Sequence, residues 1–175
     1  MNISGVVGLI VLILAAILLL AFTAWRKRTP ASLRRIEAYD RLNKEVGLAV
    51  ENGKRLHISL GRGNLFTARG GSSLAGLALL RRIAERASVS DRPPIVSSGD
   101  ASLTILSQDT SQSGYHAAGA DEGFRVTSGR LTGLTPFAYA AGTIPIARDE
   151  NVSAHVLVGD LGAESAVIAE AADRQ

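Results

Sequence analysis

Cysteine is absent from all 175 residues. That excludes a disulfide framework and any thiolate metal site, and it fits a reducing compartment. Aromatic residues make up only 5% of the chain. That is too few for the stacked side chains that hold single-stranded nucleic acid, so nucleic acid is not an expected partner. Charge is missing from one long stretch: the first charged side chain is Arg26. Basic residues are missing ahead of that stretch, where a cleaved secretory signal needs them. The common enzyme motifs are missing too. There is no Gly-Lys-Ser/Thr phosphate loop, no G-x-G-x-x-G, no G-x-S-x-G and no histidine spacing that makes a zinc triad. No metal site is expected.

The uncharged stretch runs from Ile3 to Ala24, 22 residues of mostly Leu, Ile, Val and Ala. A helix rises about 1.5 Å per residue, so roughly 20 apolar residues cross the hydrocarbon of a bilayer. Trp25 follows at the depth where indole rings favour the interface. Arg26, Lys27 and Arg28 come next. With no basic residue before the run and three directly after it, the positive-inside rule puts the N-terminus outside and the rest in the cytoplasm. The expected architecture is an anchor over 1–25, a basic juxtamembrane helix over 26–53 and an α/β domain over 54–175.

Charge is unevenly placed beyond the anchor. Residues 26–62 carry ten Lys/Arg against four Asp/Glu, whereas residues 63–175 carry nine against twelve. The positive charge lies beside the expected membrane, where Arg26, Lys27 and Arg28 can meet anionic headgroups at about 1 kcal/mol each.

Thr29-Pro30 reads as a helix start, a capping hydroxyl before a proline in the first turn. That helix should run to about Val50 and end at Asn52-Gly53. Its apolar stripe holds Leu33, Ile36, Tyr39, Leu42, Val46 and Ala49, which suits packing on its own domain. Leu56 to Leu60 alternates like a strand, with His57 and Ser59 on its other face. A glycine-rich loop leads to Ser72 or Ser73, expected to cap a helix to about Ala87. Ile95 to Ser98 reads as a short strand, and Asp100 as the cap of a helix to about Thr110. Residues 111–134 give little pattern beyond a partial helix near Tyr115 to Ala118. Thr135-Pro136 repeats the start signal for a short helix ended by Gly142. Ile144 to Ala147 looks extended. Ser153 to Val158 is the strongest strand, followed by an alanine-rich helix from Ala163 to Asp173.

One pattern recurs: an apolar strand, a glycine at its end, then a helix. It appears at Leu60-Gly61, at Ser98-Gly99-Asp100 and at Val158-Gly159-Asp160. Strands alternating with helices predict an α/β fold, a small parallel or mixed sheet covered by helices. If the strands are parallel, the glycine turns share the edge where such sheets bind ligands. Three or four strands make a small sheet for this class, which leaves open whether the chain is part of a longer protein.

Several segments carry a resemblance. They are Leu56-His57-Ile58-Ser59-Leu60-Gly61-Arg62-Gly63, Ser90-Asp91-Arg92-Pro93-Pro94, Ser98-Gly99-Asp100, Leu134 to Gly142, Arg148-Asp149-Glu150 and Ser153-Ala154-His155. Together they resemble a bacterial family known only as a domain of unknown function, with a membrane helix ahead of the domain. The resemblance implies a domain anchored by an N-terminal membrane helix and transfers no activity, cofactor or catalytic residue.

The candidate binding residues are Gly61, Arg62, Gly63, Arg69, Ser72, Ser73, Asp100 and Asp160. A flexible loop before a helix N-terminus exposes N–H groups to an anion, and Arg62 with Arg69 can clamp a phosphate. The commoner meaning of such glycines is a connector that needs turns. Asp100 and Asp160 sit at strand ends as metal ligands would, and equally where helices need caps. Asp149-Glu150 reads as a solvated turn, and His57 and His155 as strand histidines that can face each other.

The chain therefore reads as a membrane-anchored cytoplasmic α/β module that binds a partner or small ligand. One alternative is a hydrolase or phosphate-handling enzyme using Arg62, Asp100 and Asp160. Another is a structural membrane protein, a homo-oligomer formed through the anchor or through Tyr39 to Ala49.

Overall fold

The structure is a computed structural model that describes residues 3–28, 36–68 and 70–174. The side chains of Arg26, Lys27 and Arg28, the segment Thr29-Pro30 with Leu33, and Arg69 lie outside the described residues. The chain divides into two units, Met1–Ile36 and Glu37–Gln175.

The first unit holds α1 (Ile3–Arg28). Within it Gly5–Trp25 is a 21-residue stretch of mean hydropathy 3.1 with none of it buried against protein. It is long and apolar enough to cross a membrane. A water-facing surface of Leu9, Leu12, Leu19 and Leu20, each more than half exposed, is the surface that a bilayer covers at no desolvation cost.

The second unit is an α/β fold. Its elements are α2 (Glu37–Glu51), β1 (Arg55–Gly61), α3 (Gly70–Ala87), β2 (Ile95–Ser98), α4 (Ala101–Ala117), β3 (Gly129–Leu131), α5 (Pro136–Asp149), β4 (Val152–Asp160) and α6 (Glu164–Asp173). The sheet order is β3-β2-β1-β4, and all three pairings are parallel. Of the two sheets the sequence allows, parallel or mixed, the chain forms the parallel one.

Alternation along β1 divides the sheet into two unlike faces. Leu56, Ile58 and Leu60 point to one side and join Leu77, Leu80 and Ile83 of α3 and Leu103 of α4 in the main core. Val46 and Ala49 of α2 enter the same core and Leu42 packs against it, so the C-terminal part of the stripe packs on its own domain, whereas Ile36 and Tyr39 are exposed. His57 and Ser59 point to the other side, under α5, where Tyr139 and Ala140 meet Ile168 of α6. Helices thus cover both faces, and the direction of winding reverses at β1.

The local signals explain most boundaries. Asp100 has extended backbone and accepts a hydrogen bond from Leu103 N–H at 3.0 Å, a cap that starts α4. Thr135 caps α5 with Pro136 in the first turn. Gly53 has φ +61 at the end of α2.

Five local expectations need correction. Ile144 to Ala147 is helical, because α5 passes through Gly142 and Pro145 to Asp149. Burial of Ile146 and Ala147 on the sheet outweighs the local penalty of an internal proline. The helix α4 runs to Ala117 instead of stopping near Thr110, and it absorbs the segment read as a separate partial helix. The strand β3 lies in the stretch that gave no pattern; three residues are too few to show one. The helix α3 begins at Gly70, so Ser72 and Ser73 fall within its first turn and are not its cap. Asp160 closes β4 and does not cap α6, whose N-cap position is Ala163.

Candidate functional site

Four parallel strands send their carboxyl ends to one edge, so Gly61-Arg62-Gly63, Gly99-Asp100 and Gly159-Asp160 are brought together as the recurring pattern implies. The winding reverses between β1 and β4, which is where open α/β sheets place a ligand crevice. At this edge Gly61 adopts φ +74, and a Cβ on it would run into the Asp160 backbone. A Cβ on Gly63 would meet Ser73 Oγ and the Asp160 side chain. Ser73 Oγ donates to Gly63 O at 3.1 Å. These glycines serve close packing of β1, α3 and β4 against one another.

Arg62 does not reach into the glycine loop. Its side chain passes over Gly99 and its Nε donates to Glu164 Oε1 at 2.8 Å. The Glu164 side chain is 2% exposed and that of Arg62 27%. Burial alone pushes the Glu164 carboxyl up. The Arg62 hydrogen bond, with backbone N–H groups of Glu164 and Gly162, outweighs burial and leaves the carboxyl below its usual value. Asn64 Nδ2 donates to Asp100 Oδ2 at 3.4 Å and ties the loop to the β2 turn. Asp100 also accepts from Ser102 Oγ. Ser72 lies in the first turn of α3. Arg69 lies outside the described residues.

Three large apolar side chains are exposed at this edge. Phe66 in the β1–α3 loop is 88% exposed, Leu134 before α5 is 67% exposed and Phe137 in its first turn is 84% exposed.

The polar face of the sheet holds an arrangement of which sequence reasoning found only the two facing histidines. His57 and His155 are register partners across β1 and β4, and their Nδ1 atoms lie 3.0 Å apart. His57 Nε2 lies 2.9 Å from Ser97 Oγ. Tyr139 Oη exchanges hydrogen bonds with Ser59 Oγ at 2.6 Å and Ser97 Oγ at 3.2 Å, and accepts from Gly61 N–H at 3.2 Å. With both rings neutral, one Nδ1–H donates to the other, and hydrogen bonds run without a break from His155 Nδ1 to Gly61 N–H. Burial, then the charges of His155 and Arg130, lowers the His57 pKa to about 3. Burial lowers His155 as well and raises Tyr139.

Ser97, His57 and His155 therefore stand at nucleophile, base and orienter distances. His57 and Ser97 are nevertheless 0% exposed. A base with a pKa near 3 is also a weak proton acceptor at neutral pH. The network as folded bonds the sheet to α5. Periodicity marks His57 and His155 only as strand residues; Ser97 and Tyr139 carry no signal that they converge on them. Among the described residues no cluster of three or more His, Asp or Glu side chains is placed to hold a metal ion.

The second unit is therefore an α/β domain wound on both faces of a parallel sheet, with an apolar helix in the unit before it. The family model for a domain of unknown function, DUF6754, matches residues 2–175, and the chain belongs to that family. Searches among curated proteins and among solved structures return no match.

Proposed function

We propose that this protein is a membrane-tethered recognition module that binds a partner or ligand at the carboxyl edge of its sheet, without chemistry of its own. The observation that carries the reading is the rim of Phe66, Leu134 and Phe137, exposed on the edge where the winding reverses. Large apolar side chains exposed together favour an interaction surface. The hydrogen-bonding groups behind the rim support binding over catalysis: Asp100 caps α4, Arg62 is paired with Glu164 and Ser73 holds Gly63. In this reading α1 spans the bilayer with the N-terminus outside, and the domain lies in the cytoplasm beside headgroups that Arg26, Lys27 and Arg28 attract.

Two measurements test it. The chain has no cysteine, so single cysteines report cleanly. Asn2→Cys should label from outside intact cells, and Val89→Cys, at a position 79% exposed, should not; the reverse pattern refutes the topology. A photo-crosslinking residue at position 66 or 137 should give a discrete adduct in membranes. One at Ile105, 67% exposed on α4, should not. Equal crosslinking at all three positions refutes the recognition edge.

One observation favours a second reading, a hydrolase: the Ser97–His57–His155 contacts. An electrophilic phosphonate that labels the wild type and not Ser97→Ala would establish it. No labelling of the native protein leaves the network structural.

A further inference from the structure

The opposite, amino edge of the sheet carries a second feature, independent of the recognition edge. A cavity of about 320 Å³ is lined there by Arg55, Asp91, Arg125, Thr127, Arg130 and Glu150 together with Pro93 and Ser128. Arg55 opens β1 and Arg130 lies in β3, so the sheet itself fixes the spacing of two of the three guanidinium groups. Glu150 bridges them: Arg55 Nη1 to Glu150 Oε2 is 2.8 Å and Arg130 Nη2 to Glu150 Oε1 is 2.7 Å. One carboxylate is thus spent on two arginines, with both oxygens used.

Positive charge is left over. Three arginines face Glu150 and Asp91, a net of one positive charge on the cavity wall. The field of Arg130 reaches His57 and helps to lower its pKa. Arg55 Nε is buried without a hydrogen-bond partner, an orphaned donor of the kind that native structures seldom leave. Arg125 is exposed at the mouth, and its guanidinium forms no ion pair among the described residues. The wall adds the Thr127 and Ser128 hydroxyls, although Ser128 Oγ already donates to Arg125 O.

We propose that this cavity binds a phosphate group, with Arg125 and Arg130 as the forks that grip it and Arg55 as the half-buried charge beneath. Guanidinium forks match the tetrahedral oxygens of phosphate in pairs, and charge-assisted hydrogen bonds are about twice as strong as neutral ones. A volume of about 320 Å³ is at the small end of ligand pockets, room for a phosphate and a few further heavy atoms. A small phosphate monoester and the headgroup of a phosphate-bearing lipid share this chemistry.

The test uses the full chain in detergent, with glycerol 3-phosphate as the soluble probe and phosphatidate or phosphatidylcholine vesicles as the membrane probes. Saturable binding of glycerol 3-phosphate by calorimetry, weakened at least tenfold by Arg125→Ala, is the expected result. Arg125 forms no ion pair among the described residues, so that variant should unfold at the same temperature as wild type without probe. Arg148→Ala, on the far side of α5, should bind as wild type does. Arg125-dependent binding of phosphatidate vesicles, but not of phosphatidylcholine vesicles or the soluble probe, assigns the phosphate to a lipid. No saturable binding of any probe, or binding indifferent to both Arg125→Ala and Arg125→Glu, overturns the proposal. Neither result bears on the crosslinking at Phe66 and Phe137.

Discussion

Removing the Arg62 guanidinium tests the geometry of the carboxyl edge directly. A phosphate clamp would lose affinity on Arg62→Ala and keep its fold. The structure gives a different outcome, because Arg62 is the partner of a carboxylate whose side chain is 2% exposed. Breaking a buried pair from one side costs about 3–5 kcal/mol, since the remaining charge is left in a poor solvent. The Arg62 side chain is 27% exposed, and water reaching it screens the pair, so the lower end, about 3 kcal/mol, is the expectation. With a urea m-value of about 1.5 kcal/mol/M, the midpoint should fall by about 2 M. The pH dependence separates this cause from lost packing. In the wild type the Glu164 pKa is lowered, so its stabilisation is present above the unfolded carboxyl pKa and is lost as pH falls through the folded one. In Arg62→Ala only the backbone N–H groups of Gly162 and Glu164 oppose burial, so the carboxyl sits above its wild-type value and less stabilisation is lost as it takes up its proton. The gap between the two proteins therefore narrows on acidification from pH 7 to pH 4. The double variant Arg62→Ala/Glu164→Gln should recover most of the loss at pH 7. Urea melts of the detergent-solubilised full chain at the two pH values measure all of this. A cost below about 1 kcal/mol, well short of a buried pair, or a gap that does not narrow in acid, would refute the reasoning.

Three further perturbations have defined outcomes. His57 has a folded pKa of about 3, so the wild type should be fully stable above the unfolded histidine value near 6.5 and lose up to about 1.4 kcal/mol per pH unit below it; urea melts of His57→Gln should show a shallower slope between pH 7 and pH 5. Asp100→Ala removes the hydrogen bond to Leu103 N–H and should cost about 1 kcal/mol by thermal melts, with Asp100→Asn nearly neutral. Leu80→Ala, at a site 0% exposed in the main core, should cost about 2–5 kcal/mol by urea melts, whereas Ile105→Ala on the exposed face of α4 should change stability by about 0.5 kcal/mol or less.

Much of the fold was legible along the chain because its signals are local. An apolar run needs only its own composition to declare a helix long enough for a bilayer. Asp100, Thr135-Pro136 and Gly53 mark helix ends because a cap or a positive φ acts on groups within four residues. The repeated strand–glycine–helix order implied a sheet with its turns on one edge, and the parallel sheet has that edge. Where local signals were weak or contrary, packing decided. Ile144 to Ala147 is helical because its buried side chains fit the sheet under α5, against the preference of Pro145. The strand β3 exists because β2 offers it a hydrogen-bonding edge.

The candidate site divides along the same line. The sequence by itself named the residues that gather at the carboxyl edge if the strands run parallel, and the tertiary structure decided that they do. The sequence did not determine what those residues touch. Arg62 lies 102 positions from Glu164, and His57 lies 40 from Ser97 and 98 from His155. No periodicity spans such separations. Whether an arginine clamps a ligand or neutralises a buried carboxylate depends on which side chain the fold sets 2.8 Å from its Nε, and only the tertiary structure fixes that distance.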